Sequence, residues 1–322
     1  MKNDSNESGV AHAMLSRRLF LAGASTALLP GLAAHATAGT AKGRPYGARL
    51  GFQAYTVRDL LARDPEATLA RIAALGYREI ELFAPAQVVD YAPINRKLGL
   101  EVVSLHMPGL FGQKGDWARW LADGMPVDPA GYGLAAIIHT ARAHGLRYIG
   151  YPHGAPEEAT QSPQAYRQFV AHLDRIGATC RRAGIAFFYH NHHHEFAATA
   201  DGTWLDVLVQ HTDPQNVSLE LDVCWIAHAG QDPVAVIASH AKRVKLIHLK
   251  DRKPGIPVST APGWPEGNIF APVGSGTLDM PAILRAAHAA RVQHVFVEQD
   301  ASDGDPVDDL ASSFRYVKGT GL

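Results

Sequence analysis

A strand that turns abruptly polar near the middle of the chain constrains the fold most strongly. Residues 184–196 read GIAFFYHNHHHEF, an apolar and aromatic run followed by four histidines and one glutamate within six residues. Side chains alternate between the two faces of a strand, so Phe188, His190 and His192 are predicted to share one face, and Tyr189 and Asn191 the other. Because one polar group at a strand end is more often a helix cap or a satisfied core group, this stretch alone does not define a site.

Three later strands end in the same kind of residue. The segments 217–222, 244–250 and 294–300 are short buried runs that carry Asp222, His248 and Glu298. In a parallel barrel the carboxyl ends of the strands meet at one face, so these residues are expected to share a site with His190. Imidazole and carboxylate groups together suit a divalent ion such as Zn, Mn, Fe or Co better than Ca, which prefers oxygen ligands.

The remainder of the chain alternates strand and helix patterns. Earlier strands are predicted at 49–55, 77–82, 100–106 and 146–150, and helices at 65–75, 88–98, 129–144, 162–182, 204–210, 233–240, 281–290 and 306–318. Eight strand–helix repeats predict an α/β fold, a single (β/α)8 TIM barrel over residues 45–320. Two long loops, residues 109–128 with Trp117 and Trp120 and residues 252–272, are expected on the face that carries the site.

Composition limits the classes of partner. The chain has 322 residues, a net charge of −1 and 47% hydrophobic residues, which is enough apolar material for one large core. Near-neutral charge without a basic run argues against nucleic acid as a partner. Cys180 and Cys224 form no Cys-x-x-Cys motif, so we predict buried thiols, with a single disulfide as the alternative. The oligomeric state stays open, a homo-oligomer included.

The first 40 residues have the pattern of a targeting segment. Arg17 and Arg18 precede a mostly apolar run that ends near Ala34, and residues 34–38 offer small-residue cleavage sites. This pattern predicts a twin-arginine signal peptide and spacer over residues 1–40, and hence a periplasmic protein. The run is too short and too rich in alanine and glycine for a membrane span, so none is expected in the mature chain. An amphipathic N-terminal arm is the alternative.

Together these motifs resemble the xylose isomerase-like TIM barrel superfamily, whose members are often described as sugar phosphate isomerases/epimerases. The resemblance covers essentially the whole mature chain. It rests on these segments: QAYTVR at 53–58, IEL at 80–82, SLH at 104–106, HNH at 190–192, LD at 221–222, HLKD at 248–251, PVGSG at 272–276 and VE at 297–298. In epimerases of this family strands five to eight hold one divalent ion, so the resemblance implies His190, Asp222, His248 and Glu298 as metal ligands.

The fifth-strand position departs from the family pattern. His190 stands where the epimerases have a glutamate that works as a base opposite the glutamate of the eighth strand, here Glu298. Glu195, five residues after His190, is therefore a candidate for the missing carboxylate. Trp225 stands where ketose epimerases place a substrate-binding histidine.

The predicted chemistry begins at a carbonyl group. An ion such as Mn, Zn or Co polarises the carbonyl and acidifies the neighbouring C–H, and Glu298 or Glu195 then removes the proton, with Lys250 as a further catalytic group. The predicted substrate-binding residues are Tyr55, Glu81, His106, His153, His192 and Trp225. Reprotonation gives isomerisation or epimerisation, whereas loss of a β-oxygen gives elimination.

The sequence therefore predicts a metal-dependent isomerase or epimerase for an unphosphorylated ketose or keto-sugar. No glycine-rich phosphate cradle is evident, which disfavours a phosphorylated substrate. A lyase or glycoside-cleaving enzyme that acts on 3-keto-glycosides is the alternative, and a non-catalytic sugar-binding barrel is the third hypothesis. The partner in each case is a small sugar or keto-glycoside.

Overall fold

The computed structural model describes residues 45–107 and 133–322. Three sequence predictions lie outside the described residues. They are the signal segment at 1–40, the loop at 109–128 with Trp117 and Trp120, and the first residues of the helix predicted at 129–144.

Eight parallel strands form a closed barrel, as the repeat pattern predicted. Each strand pairs with the next along the chain, and the eighth pairs with the first. We number them one to eight in chain order. They are Gly51–Gln53, Glu79–Leu82, Glu101–His106, Tyr148–Tyr151, Ala186–His190, Val217–Asp222, Val244–Leu249 and His294–Val297.

Helices surround the barrel in the described residues. They are Arg58–Arg63, Pro65–Leu75, Pro85–Asp90, Ala92–Leu98, Leu134–Ala143, Glu157–Thr160, Pro163–Arg182, Trp204–Gln210, Val223–His228, Pro233–Ser239, Met280–Ala289 and Pro306–Thr320. Several of them start with ordinary capping chemistry: the side chains of Asp64 and Ser162, for example, accept the amides of Ala67 and Ala165. None of these described helices combines the length and hydrophobicity needed to cross a membrane.

Several helical regions differ from the sequence prediction, among them the short helices Arg58–Arg63 and Glu157–Thr160, which were not predicted. The pattern at 88–98 forms two short helices that meet at Tyr91, because Pro93 has no amide hydrogen and its ring would crowd the carbonyl of residue 89 in a continuous helix. A short helix that was not predicted, Val223–His228, follows the sixth strand directly. Its N-cap is Asp222, whose Oδ1 accepts the amide of Trp225 at 2.9 Å.

The loop after the seventh strand is fastened to the barrel by one buried carboxylate. Asp251 accepts the amides of Gly274, Gly276 and Leu278 at 2.9, 3.0 and 3.2 Å. A Cβ atom at Gly276 would lie 2.3 Å from Asp251 Oδ1, so only glycine fits there. The predicted loop at 252–272 also contains a short antiparallel pair, Asp251–Arg252 with Phe270–Ala271.

Large apolar side chains fill the middle of the barrel. They are Val103, Tyr148, Phe188, Leu246 and Phe296, and all are buried. The next inward-facing residue on three of these strands is polar, because alternate side chains share a face: His190 follows Phe188, His248 follows Leu246 and Glu298 follows Phe296. The apolar layer is therefore the floor of a polar site at the carboxyl ends. Cys180 and Cys224 are free and buried, as predicted.

Candidate metal and active site

Strands six to eight bring Asp222, His248 and Glu298 together. One ligand atom from each lies within 4.8 Å of the other two, and all three side chains are buried. His248 Nδ1 lies 2.7 Å from Glu298 Oε2 and 4.0 Å from Asp222 Oδ2. We call these three residues the outer group. A mixed set of imidazole and carboxylate donors suits a divalent transition metal, so the outer group fits such an ion.

A buried lysine lies beside the outer group. The ammonium of Lys250 is 3.0 Å from Asp222 Oδ2, 2.8 Å from Glu298 Oε2 and 2.7 Å from Asp300 Oδ2. Burial alone would lower the pKa of Lys250, but these carboxylates outweigh it and raise the pKa well above its usual value. Burial likewise favours a raised pKa for Glu298, but Lys250 and His248 outweigh it and lower that pKa. The site thus pairs an ionised carboxylate with a protonated amine.

A second cluster lies one step deeper in the barrel. A single oxygen, Glu220 Oε2, is 2.7 Å from His106 Nε2, 3.1 Å from His190 Nδ1 and 3.2 Å from His248 Nε2. We call His106, His190, Glu220 and His248 the inner group. Their four ligand atoms also lie within 4.8 Å of one another, so they are a second set of donors that could hold a metal ion.

Sequence reasoning missed Glu220, although a signal for it was present. Glu220 precedes Asp222 by two residues, so strand alternation places both on the inward face. Burial, and then the nearby carboxylate of Glu81, raise the pKa of Glu220. A glutamate within a strand is a weaker signal for a site than an aspartate at a strand end, but Glu220 lies at the centre of the inner group.

Glu81, predicted to bind substrate, is surrounded by protein donors. It accepts hydrogen bonds from Gln53 Nε2 at 2.7 Å and from the hydroxyl of Ser104. Its Oε1 also lies 2.6 Å from His248 Nε2 and 3.0 Å from His106 Nε2. Burial would lower the pKa of His106, but Glu81 and Glu220 outweigh it and raise it to about 9. Glu81 therefore orients two imidazoles of the inner group.

Two residues of the histidine run are placed differently from each other. His190 belongs to the inner group and does not share the mutually close atoms of Asp222 and Glu298. Glu195 lies with neither group: its Oε1 accepts the hydroxyl of Tyr189 at 2.6 Å, and its Oε2 accepts the amide of His192 at 2.9 Å. Glu195 thus fastens the turn that follows the fifth strand.

Aromatic and imidazole rings cover the outer side of the site. The Trp225 ring is buried and lies 5.5 Å from the His192 ring and 5.4 Å from the Trp264 ring. Trp264, which sequence reasoning did not single out, is 65% exposed. These rings form an aromatic shelf, by which we mean His192, Trp225 and Trp264.

The two remaining predicted contacts follow other strands. Tyr55, after the first strand, is 37% exposed, and the guanidinium of Arg58 lies 4.2 Å from the centre of its ring. His153, after the fourth strand, is exposed, with its ring 6.0 Å from that of Tyr151. Both residues thus lie at the carboxyl ends of barrel strands.

Comparison with known proteins places this barrel among others of similar architecture. Residues 69–319 match the sequence profile of the family described as xylose isomerase-like TIM barrel. A curated relative, the inosose dehydratase of Geobacillus thermodenitrificans strain NG80-2, is 27% identical over 161 residues, which cover 46% of this chain and 52% of that protein. The match thus spans about half the length of that relative.

Solved structures share the fold at low sequence identity. A sugar phosphate isomerase/epimerase from Parabacteroides distasonis superimposes with a TM-score of 0.66 at 22% identity, over 84% of this chain and 93% of that one. An L-ribulose 3-epimerase gives a TM-score of 0.59 at 20% identity, over 85% and 94% of the two chains. At these identities the similarity shows a common fold.

Proposed function

Because the chain belongs to the xylose isomerase-like TIM barrel family, we propose that it is a metal-dependent lyase for unphosphorylated keto-sugars or keto-glycosides. The reaction removes a proton next to the carbonyl and expels the oxygen substituent of the β carbon. One observation carries this proposal: the Glu298 carboxylate and the Lys250 ammonium lie 2.8 Å apart beside the donors Asp222 and His248. The curated relative named inosose dehydratase supports the same class of chemistry.

Glu298 is the proposed base. Its pKa lies below the usual value, because Lys250 and His248 outweigh the effect of burial, so it is ionised at neutral pH. A divalent ion held by Asp222, His248 and Glu298 would polarise the substrate carbonyl, which makes the neighbouring C–H acidic enough for a carboxylate. The proton passes to Glu298 as a double bond begins to form between the α and β carbons.

Lys250 is the proposed acid. Its pKa is raised by Asp222, Asp300 and Glu298 against the effect of burial, so the amine carries a proton at neutral pH. When the β C–O bond breaks, its electron pair leaves with the oxygen, which takes this proton. The products are an unsaturated ketone and water or an alcohol, with no net oxidation or reduction. A positioned acid of this kind typically contributes about 10²–10⁴-fold to the rate.

The fifth strand favours elimination over epimerisation. Epimerisation needs a second group that returns the proton to the opposite face of the same carbon. His190 ends the fifth strand and contacts Glu220, while Glu195 is held by Tyr189 and His192. Isomerisation or epimerisation is the second candidate, because it begins with the same proton removal and the fold is shared with solved isomerases/epimerases.

The experiment compares elimination with exchange in one assay. The full chain, loaded with Mn, Co or Zn, is incubated in deuterated buffer with 4-nitrophenyl 3-keto-β-glucoside, an inosose or a ketohexose. We expect release of nitrophenol or water with formation of the unsaturated ketone, and loss of this activity in Glu298→Gln. Glu79→Gln is the matched control, because Glu79 is a buried carboxylate paired with His294 at the other end of the barrel. Deuterium uptake without C–O cleavage would favour the second candidate, and neither cleavage nor uptake would contradict both.

We also propose that residues 1–40 direct export by the twin-arginine route, so that the enzyme acts in the periplasm. The Arg17–Arg18 pair before an apolar run supports this. Replacing both arginines with lysine should retain the protein in the cytoplasm of a bacterial host, whereas Arg44→Lys, beyond the predicted segment, should not. Equal periplasmic yields from all three chains would contradict export by this route.

A further inference from the structure

We propose that the barrel holds a second divalent cation, bound by the inner group beneath the ion of the outer group. His248 would serve both positions as an imidazolate, with Nε2 toward the inner group and Nδ1 toward the outer one, so its ring proton would be released to solvent when both ions bind. This inference extends the metal centre of the proposed function, but it concerns which ions the chain binds and not which sugar it converts.

The spacing of the inner donors supports a four-coordinate ion. Bonds of about 2.1 Å in tetrahedral geometry hold ligand atoms about 3.4 Å apart. The nitrogens of His106, His190 and His248 lie 2.7, 3.1 and 3.2 Å from Glu220 Oε2, and all four ligand atoms are within 4.8 Å of one another. Small side-chain shifts therefore convert the network into a coordination shell. Three imidazoles and a carboxylate favour Zn, Co or Fe over Mg or Ca.

One buried oxygen in the inner group has no protein partner. Glu220 Oε1 accepts no hydrogen bond from the residues that the structure describes, and the side chain is fully buried. A buried acceptor without a partner costs about 1–3 kcal/mol, and more when it carries charge. An ion bound at Glu220, or a water on that ion, would satisfy this oxygen.

The carboxylates and Lys250 divide their buried charge evenly between two positions, and a bridging His248 imidazolate would add one negative charge between them. Glu81 and Glu220 bring a formal charge of −2 to the inner position. Asp222, Glu298 and Asp300 bring −3 to the outer position, and the ammonium of Lys250 leaves −2 there. Buried charge is costly unless it is paired, so each position calls for a charge of about +2. Protonated imidazoles could supply the same positive charge in place of bound ions. Only bound ions add metal to the chain, so measuring the metal content distinguishes the two.

A second carboxylate, Glu81, borders the inner position. Its Oε1 lies 3.0 Å from His106 Nε2 and 2.6 Å from His248 Nε2, the nitrogens that would bind the ion, and it is itself held by Gln53 and Ser104. An ion at these nitrogens would replace the two contacts, and the Glu81 carboxylate would then balance part of its charge. The inner position lies directly above the apolar floor of the barrel, so its ion would hold His248 in place and not meet the substrate.

Metal stoichiometry tests the inference. The full chain is stripped with a chelator, reloaded with Co²⁺ and measured by elemental analysis and by the visible absorption of tetrahedral Co²⁺. We expect two equivalents per chain, and one in Glu220→Gln and in His106→Asn. Asp222→Asn should also fall to one, but should keep the intense absorption of a tetrahedral, imidazole-rich site. Glu79→Gln, a buried carboxylate paired with an imidazole at the amino ends of the strands, should keep two.

Several outcomes would overturn the second site. One equivalent in the unaltered chain, unchanged in Glu220→Gln, would show that only the outer position binds. One equivalent that Glu220→Gln abolishes and Asp222→Asn leaves intact would show that only the inner position binds. The number of equivalents in the unaltered chain is measured without any substitution, so the test still decides the question if a variant misfolds. Two equivalents in a chain that cleaves no keto-sugar would contradict the proposed function and leave this inference standing.

Discussion

At the scale of single residues, the site separates two proton transfers between neighbouring side chains. Lys250 and Glu298 lie 2.8 Å apart, and the proposed reaction gives them opposite tasks. Lys250→Gln should reduce C–O cleavage by about 10²–10⁴-fold, because the leaving oxygen loses its proton donor. Deuterium exchange next to the carbonyl should persist, because Glu298 still removes the proton. NMR of the substrate in deuterated buffer measures both rates at once.

The matched variant for that experiment is Glu298→Gln, which should lose exchange and cleavage together. A Lys250→Gln enzyme whose exchange falls as far as its cleavage would contradict the assignment of Lys250 as the acid.

A second residue-scale prediction concerns acid stability. Burial, and then His193 and Arg252, lower the pKa of His228 to about 4. In the unfolded chain the His228 imidazole is protonated near pH 6.5, whereas in the folded chain it stays neutral until about pH 4. Protonation therefore favours the unfolded chain, and the free energy of unfolding falls as the pH is lowered through this window. At pH 5 the loss is at most about 2 kcal/mol. His228→Asn should therefore lose less unfolding free energy than the unaltered chain between pH 7 and 5, as measured with urea.

The control for this prediction is His211→Asn, because His211 is exposed at the surface. If the three chains lose the same free energy over this pH range, His228 does not cause the acid sensitivity.

Residue by residue, the sequence was more informative about strand ends than about strand interiors. Asp222, His248 and Glu298 stand out because polar groups after apolar runs mark the mouth of a barrel. Glu220 does not, because its role depends on imidazoles that three other strands deliver, His106, His190 and His248. Alternation along the strand predicts that Glu220 faces inward. Which side chains lie around it is determined only when the barrel closes.

At the scale of elements, the loop after the seventh strand contributes Trp264 to the aromatic shelf. Trp264 is 65% exposed and its ring lies 5.4 Å from that of Trp225 and 5.9 Å from that of His192. An exposed tryptophan held by two other rings is suited to stack on the apolar face of a sugar. Trp264→Ala should therefore raise KM about 5–10-fold, equivalent to about 1–1.4 kcal/mol of lost stacking, and leave kcat within about twofold.

Val258→Ala is the matched control, because Val258 is 62% exposed in the same loop and belongs to neither the shelf nor the metal groups. It should leave both constants unchanged. A fall in kcat with constant KM in Trp264→Ala would contradict a role in substrate binding.

Element boundaries were less predictable where local signals conflict. The strand was predicted to end at Asp222, as observed, but Val223, Cys224, Trp225 and Ile226 form an apolar run too short to indicate a helix. The chain instead forms a helix, because the Asp222 side chain caps it and the strand has reached the barrel rim. This helix carries Trp225, so the arrangement of the aromatic shelf could not be predicted without it.

At the scale of the whole molecule, the count of repeats was the most predictable feature. Eight apolar strands alternating with amphipathic helices leave few ways to bury every strand on both faces, and a closed parallel barrel is the familiar one. The sequence predicted that the metal ligands lie at the carboxyl ends of the strands, but not how deep in the barrel each one lies. The division into inner and outer groups depends on side-chain geometry across five strands, which no local pattern encodes.

Metal binding should stabilise the whole barrel, because the proposed ions join strands that are distant in sequence. A ligand that binds only the folded chain adds about 2.7 kcal/mol at 100 times its Kd, and for a domain of this size that raises Tm by about 5 °C. Calorimetry should show this rise when Co²⁺ or Zn²⁺ is added to the stripped chain, and EDTA should reverse it.

The same calorimetry distinguishes bound metal from general stability. Glu79→Gln should melt at a lower temperature, because it weakens contacts with His294 at 2.6 Å and Arg49 at 2.9 Å, but it should keep the full rise on metal addition. Glu298→Gln should show a smaller rise, because it removes a donor of the outer group. Equal Tm values for the stripped and loaded chains would contradict stabilisation by metal. Protons on the imidazoles would then compensate the buried carboxylates, and bound metal would not stabilise the charged interior of this barrel.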